Sequence, residues 1–498
     1  MSQQELFKKS DLEVNIQAVL SPSGYKGLAA FHKYWGKKPL ECLTFLIQKL
    51  SSKHDIVLDP FLGSGLVAKE SLELQRRFIG IDINPVSIDL ATFFVNLPLV
   101  KEFSEAFRYI EQEIKPSIYE SYQLYDGRIA THYLWEKETL SSVWTKNGKE
   151  RERIELIPTP HDRTLIQQFS QYTPHHIRKP IFFNNSRVNS TKELTLHHLF
   201  TDRALRNIDL LLETIMKCPV TLQKPLLLTL TSSIGQMSKM VFAISQRHKT
   251  QENTTIHEHI EVGSWIIGYW RPERHFEINV WNCFDLRVKK LLKALRELPE
   301  PEKYIPITNN PHEVINNLSP ISLVIGNCNT VLEQIEKGQI QLIITDPPHS
   351  DRIPYLELSE LWNTILQHTP CFEEEIVVSN AKERHKNKKT YVDDMLRFMQ
   401  NAYHVLKVGG FLAIIFNARD LLSWEYLKTI QHNVPQLHYR GCFPMQYSAH
   451  SVVQDNRKGA LRHDFILIYQ KISDMSSDEK LYNTLESIPG WRSEFPKH

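Results

Sequence analysis

Two stretches of this chain place chemically able side chains at informative spacings. The first runs Val57-Leu58-Asp59-Pro60-Phe61-Leu62-Gly63-Ser64-Gly65, followed by Gly80-Ile81-Asp82-Ile83-Asn84-Pro85. An apolar run ends at Asp59, and Gly63 and Gly65 let the backbone turn tightly and approach a ligand where a Cβ would clash. Asp82 follows about twenty residues on, at the tip of the next apolar run, where a carboxylate can accept both hydroxyls of an adenosine ribose. Asp59 would repel a pyrophosphate, so the turn suits a cationic or zwitterionic ligand.

The second stretch is Leu342-Ile343-Ile344-Thr345-Asp346-Pro347-Pro348-His349, continuing Ser350-Asp351-Arg352-Ile353-Pro354-Tyr355. Neither proline has an N–H, so the turn offers carbonyls and one carboxylate. Asp346 and the Pro347 carbonyl form an acceptor pair suited to the exocyclic amino group of a base. Three further segments accompany these. Phe31-His32-Lys33-Tyr34-Trp35-Gly36-Lys37-Lys38-Pro39 mixes aromatics and cations, and Asn327 follows an apolar run. Lys382 to Lys389 packs five full positive charges into eight residues, either as a solvated face or as a loop contacting phosphates.

Elements of two kinds must position these residues. Helices are predicted over 40–50, 67–74, 87–94, 330–337 and 393–406, and strands over 56–58, 78–82, 323–325, 342–344, 411–416 and 465–469. Strands alternating with helices imply a parallel, doubly wound sheet whose strand tips hold the two motifs. Between the halves, 101–315 loses the βα rhythm. It carries Trp135, Trp144, Trp265, Trp270 and Trp281, with helix-like runs at 204–216 and 286–298. The expected organisation is α/β: a cofactor half at 1–100, a large inserted domain at 101–315, a catalytic half at 316–472 and a peripheral tail at 473–498.

Composition narrows the classes. The 498 residues hold 59 Lys+Arg and 57 Asp+Glu, a net charge of +2, so any nucleic-acid contact must rest on a local basic face. With 41% hydrophobic and 23% charged residues the chain reads as globular, and no apolar run is long enough for a membrane helix. The start lacks an apolar signal core, and the six cysteines stand singly with no Cys-x-x-Cys. Both observations predict a reducing, cytoplasmic setting and exclude a disulfide framework.

The Asp59 to Gly65 motif closely resembles the S-adenosylmethionine-binding motif of amino-methylating DNA methyltransferases, and Asp346 to His349 resembles their Asp-Pro-Pro-Tyr turn. The stretch Asp346 to Trp362 is similar to adenine-specific DNA methylases of the large-insert type, with weaker echoes at Tyr133-Leu134-Trp135 and Leu199 to Arg203. The resemblance implies a Rossmann-like methyltransferase sheet and S-adenosylmethionine as cofactor. It assigns His32, Pro39, Asp59, Phe61, Gly63, Gly65, Asp82, Asn84 and Asn327 to the cofactor, the 31–39 segment closing over its methionine end. It assigns Asp346, Pro347, Pro348 and His349 to catalysis, the fourth residue stacking on an extruded base of double-stranded DNA. Histidine there departs from the family's tyrosine. The zinc knuckle of some relatives is missing, so no metal is expected. The implied activity is methylation of adenine N6, or cytosine N4, within a restriction-modification or other defence system with a partner of that kind. Two alternatives stand beside it: an RNA amino-methyltransferase, and a non-catalytic DNA- or cofactor-binding subunit. The inserted domain is expected to read the DNA, with Arg178, Lys179, Arg187, Lys239, Arg247 and Lys249 along a groove.

Overall fold

A computed structural model describes residues 20, 25–146, 153–247, 258–349, 353–417, 424–446, 463–472 and 488–495. Lys249, Ser350 to Arg352 and most of the expected tail lie outside these. The strands, in chain order, are β1 (Ile56–Asp59), β2 (Arg77–Asp82), β3 (His132–Glu136), β4 (Thr139–Lys146), β5 (Arg153–Leu156), β6 (Ala243–Arg247) and β7 (Glu258–Val262). They continue with β8 (Arg274–Ile278), β9 (Ile307–Thr308), β10 (Ile321–Ile325), β11 (Ile340–Thr345), β12 (Leu406–Phe416), β13 (Leu437–Gln446) and β14 (His463–Lys471).

Eight of them form one sheet, ordered β13-β14-β12-β11-β1-β2-β10-β9. Every pairing from β12 to β9 is parallel, as expected of a Rossmann-like α/β sheet, and β14 alone runs against its neighbours β12 and β13. β13 escapes the sequence reading because Gly441, at φ +147°, and Pro444 interrupt its apolar alternation. Successive strand residues point to opposite faces. Val57, Leu342 and Phe411 therefore enter one core, while Ile56, Leu58, Ile343 and Leu412 enter the other. Chain order reverses between β1 and β11, so their carboxyl ends diverge and open a crevice there.

The flanking helices begin where their sequences dictate. Pro85 occupies the first turn of Pro85–Val95, where its missing N–H costs nothing, and the Asn84 side chain accepts from Val86 N. Thr201 caps Asp202–Ile215 and Asn279 caps Val280–Arg296, two and six residues earlier than periodicity alone suggests. Asn387 caps Lys388–Val405, which begins five residues earlier than periodicity suggests and ends directly at β12.

The segment between the two halves also contributes helices Val100–Glu120 and Val220–Ser233, a four-stranded antiparallel sheet ordered β5-β4-β3-β8, and the β6–β7 hairpin. Its Phe103, Leu205, Leu226 and Phe284 lie in the same apolar cluster as Leu43, Val57 and Leu342 of the large sheet's layer. Arg203 is buried against Glu277 of β8 at 2.8 and 3.0 Å, between the rings of Tyr122 and Tyr133. Within the C-terminal stretch, Arg492 exchanges two backbone hydrogen bonds with Cys442 of β13. Among the described residues no helix is long and apolar enough to cross a membrane.

Candidate active site

The crevice at the tips of β1, β2, β10 and β11 holds a partly open cavity. Asp59, Phe61, Gly63, Asp82, Asn327, Asp346 and Pro348 border it. The two motifs, some 280 residues apart in sequence, thus face one space.

Asp82 sits at one end. Its Oδ2 accepts from Gly63 N at 2.7 Å and its Oδ1 from Asn84 N at 2.8 Å, so the turn aims the carboxylate at the cavity. Burial pushes its acid constant up to about 6, against the pull of those two N–H groups. Asp59, at the tip of β1, accepts from Phe61 N at 3.1 Å and from the Thr345 hydroxyl at 3.0 Å. Burial pushes it further, to about 8. These positions suit the implied cofactor: a carboxylate for ribose hydroxyls, a glycine edge at Gly63, and anionic groups toward a sulfonium.

A pH dependence follows. Without ligand both carboxyls hold a proton below their raised constants, and a ribose or a cation favours the ionised forms. Affinity for S-adenosylmethionine should therefore fall as pH drops through about 8 and again through about 6, by at most about tenfold per pH unit for each group. Calorimetry across this window checks it; a flat affinity would remove both carboxylates from the ligand's reach.

Asp346 closes the other end, 3.1 Å from Lys38 Nζ and 2.8 Å from His349 Nε2. Pro348 borders the cavity and its carbonyl accepts from the Tyr391 hydroxyl at 2.5 Å, which anchors the turn; Pro347 does not border it. His349 is turned away. It is 8% exposed, its Nε2 also lies 3.3 Å from Ile415 O, and its ring meets Phe416 edge-on. Among the aromatics that border the cavity is Tyr355, which stacks on Tyr34.

Several expected cofactor residues serve the scaffold instead. His32 is buried and points from the cavity toward Thr231, its Nδ1–H donating to Lys33 O at 2.7 Å and its Nε2 accepting from Thr231 Oγ1 at 3.0 Å. Burial depresses its acid constant to about 3, so it is neutral. Pro39 precedes the helix Leu40–Leu50. Asn84 joins two helices through Ser359 and Asn363. Gly65, at φ +77°, has its open side against Ala91, where a Cβ would come within 2.6 Å of the helix backbone. Asn327 does border the cavity, but its side chain caps Asn329 N and donates to Glu374 O at 2.7 Å.

Other cavity residues lie outside the two motifs. Tyr34, Trp35, Gly36 and Lys38 come from the aromatic-basic segment, and Glu374, Glu375 and Ile376 from a loop with no recognisable motif. The signal for that loop is its acidic run opposite the later basic one. Arg384 is buried, donating to Glu357 and Glu375 at 2.7 Å each, so this member of the basic run is structural rather than a phosphate contact. Arg178 likewise donates to Glu360 at 2.8 Å, and Lys239 to His197 O at 3.1 Å.

Residues 4–93 match the family model described as DNA methylase. The chain is 39% identical over 59 residues to the type II methyltransferase M1.MboII of Moraxella bovis, covering 12% of this chain and 23% of that one. It is 27% identical over 89 residues to the type II methyltransferase M.MjaII of Methanocaldococcus jannaschii, covering 18% and 17%. The chain thus spans under a quarter of the length of these relatives.

Proposed function

We propose that this protein transfers the methyl group of S-adenosylmethionine to an exocyclic amino group in double-stranded DNA, adenine N6 above cytosine N4. The observation that carries this reading is the shared cavity: Asp82 and Gly63 at one end, Asp346 and Pro348 at the other. When bound, the cofactor supplies an electrophilic methyl on a positively charged sulfur. The chain's residues do the rest. Asp82 holds the nucleoside, and the β1 and β11 tips exclude water around the reacting centre. Asp346 accepts an N–H of the base amine and directs the nitrogen lone pair toward the methyl, a contribution of positioning and fixed charge. With the cofactor bound, the Asp346 carboxylate would accept the proton that the amine gives up on methylation.

The base must leave the duplex to reach Asp346. Tyr355 is the stacking surface for it in this reading, in place of His349. Tyr355→Ala should lower kcat/KM for DNA by about 10–100-fold, the scale of one base–aromatic stack, with cofactor affinity within about threefold of wild type. Stopped-time methylation assays with separate cofactor titrations check this; an unchanged kcat/KM would return the role to another ring. The 101–315 segment is the proposed reader of DNA sequence, and a restriction or other defence-system protein the proposed partner. Transfer of labelled methyl to duplex DNA, compared with tRNA and rRNA, tests the function. Labelling of RNA alone, or of neither, would overturn it.

A further inference from the structure

A second depression lies where the helix Val280–Arg296 packs against the single helical turn Gly27–Ala30. Trp281, Phe284, Val288 and Leu295 bury the inner side of that helix. Its spacing of three and four residues places Arg287, Lys290 and Ala294 along one flank, where they border the depression together with Lys293. Gly27 and Ala30 border it from the other side, so little side-chain bulk from either element fills it.

Among the described residues, Arg287, Lys290 and Lys293 form no ion pair and no side-chain hydrogen bond. Lys289, on the same helix, is by contrast held by Asp285 at 2.6 Å. Arg287 is partly buried, and that burial works against its charge. The groups that interact with it through charge are His32, Lys33 and the Cys283 thiol, with no carboxylate among them. Of the residues bordering the depression Glu297 alone is acidic, one carboxylate against three cations. A partly desolvated guanidinium without a counter-charge is costly, and its planar fork fits the oxygens of a phosphate. Two flexible ammonium groups on the rim add point charges to the same anion.

The depression lies close to the cavity that holds Asp346. Phe31 borders the first and Tyr34, three residues on, borders the second. Three residues span at most about 11 Å. The connecting segment is well held: the Phe31 ring lies 4.8 Å from that of Phe93, and Lys33 Nζ sits 4.5 Å from the centre of the Trp265 ring. Phosphates repeat about every 3.4 Å along one DNA strand, so this separation corresponds to about three nucleotides. We propose that the depression binds a backbone phosphate of the DNA, about three nucleotides from the extruded base, with Arg287 as its main contact and Lys290 and Lys293 beside it. The proposed function supplies the identity of the polyanion. The basic residues Arg178, Lys239 and Arg384 are engaged by protein groups, whereas these three cations are open to a ligand.

The test is fluorescence anisotropy of a labelled duplex, titrated with the full-length protein at several salt concentrations. Arg287→Gln, and separately Lys290→Gln with Lys293→Gln, should weaken binding to all sequences alike. The slope of log affinity against log salt should become shallower by about 0.9 for each phosphate contact removed. Arg287→Lys should keep most of the slope, and Lys289→Gln should leave it unchanged. In methylation assays the Gln variants should raise KM for DNA at unchanged kcat, as loss of uniform binding does. Wild-type slopes in the Gln variants overturn the proposal. So does a Lys289→Gln slope reduced as far as that of Arg287→Gln, which would show an effect of bulk charge. If Arg287→Gln does not fold, the Lys290→Gln/Lys293→Gln protein, altered at exposed positions, decides the matter. Duplex binding needs neither cofactor nor turnover. Unchanged slopes in variants of a protein that methylates DNA therefore remove the phosphate site and leave the proposed function standing. A wild type that binds duplex through these cations yet labels no DNA keeps the site and removes the function.

Discussion

Replacing Asp346 by alanine is expected to abolish methyl transfer while leaving affinity for S-adenosylmethionine within a few-fold of wild type. The carboxylate meets the cavity at the end opposite Asp82 and Gly63, so its proposed partner is the base amine and not the nucleoside. Removing one preorganised polar group at a reacting centre costs about 10²–10³-fold, or about 2.7–4 kcal/mol. The loss here should reach at least that scale, because the same change removes the proposed acceptor of the amine proton. Single-turnover assays with labelled cofactor and calorimetry on the same preparation separate chemistry from binding. A variant that keeps wild-type turnover would sink the assignment, and one that loses the cofactor altogether would move Asp346 to the wrong end of the cavity.

Gly65→Ala should destabilise the fold, whereas Gly63→Ala should chiefly weaken cofactor binding. Both glycines adopt positive φ, +77° and +54°. A left-handed conformation costs a residue with a Cβ about 1–2 kcal/mol. Only at Gly65 would the methyl also meet backbone, 2.6 Å from Ala91 Cα. Overpacking of that kind adds about 1–3 kcal/mol, for a total near 2–5 kcal/mol. At Gly63 the nearest atom is the Tyr34 ring at 3.4 Å, on the cavity wall. Urea unfolding should show the Gly65 midpoint lowered at unchanged slope. A wild-type midpoint together with lost cofactor binding would put Gly65 at the ligand instead.

Much of the site is legible in the sequence because buried parallel strands announce themselves as short apolar runs, and the residue that ends each run sits at the carboxyl edge. Asp59, Asp82 and Asp346 are found by that rule, and all three face the cavity. The rule locates a residue along the chain but not the direction of its side chain. His32 and Asn84 neighbour cavity residues and point into the scaffold, where Thr231, Ser359 and Asn363 hold them. His349 follows the turn directly yet packs on Phe416, while Tyr355, six residues later, borders the cavity. Least legible is the contact behind the site between Lys38 and Asp464, 2.9 Å apart: it depends on the reversed β14, and a strand's direction leaves no mark in its apolar pattern.

The apolar cluster that runs without a break from the large sheet's layer into the helices of the 101–315 segment constrains how this molecule can diverge. A domain joined to its neighbour by a narrow polar interface can be inherited, lost or exchanged as a unit. Here a wholesale replacement would have to rebuild half of the core that holds β1 and β11, and with it the spacing between Asp59 and Asp346. Divergence in what the protein recognises is therefore channelled into its surface loops and edge strands, while the chemistry and the scaffold beneath it descend together.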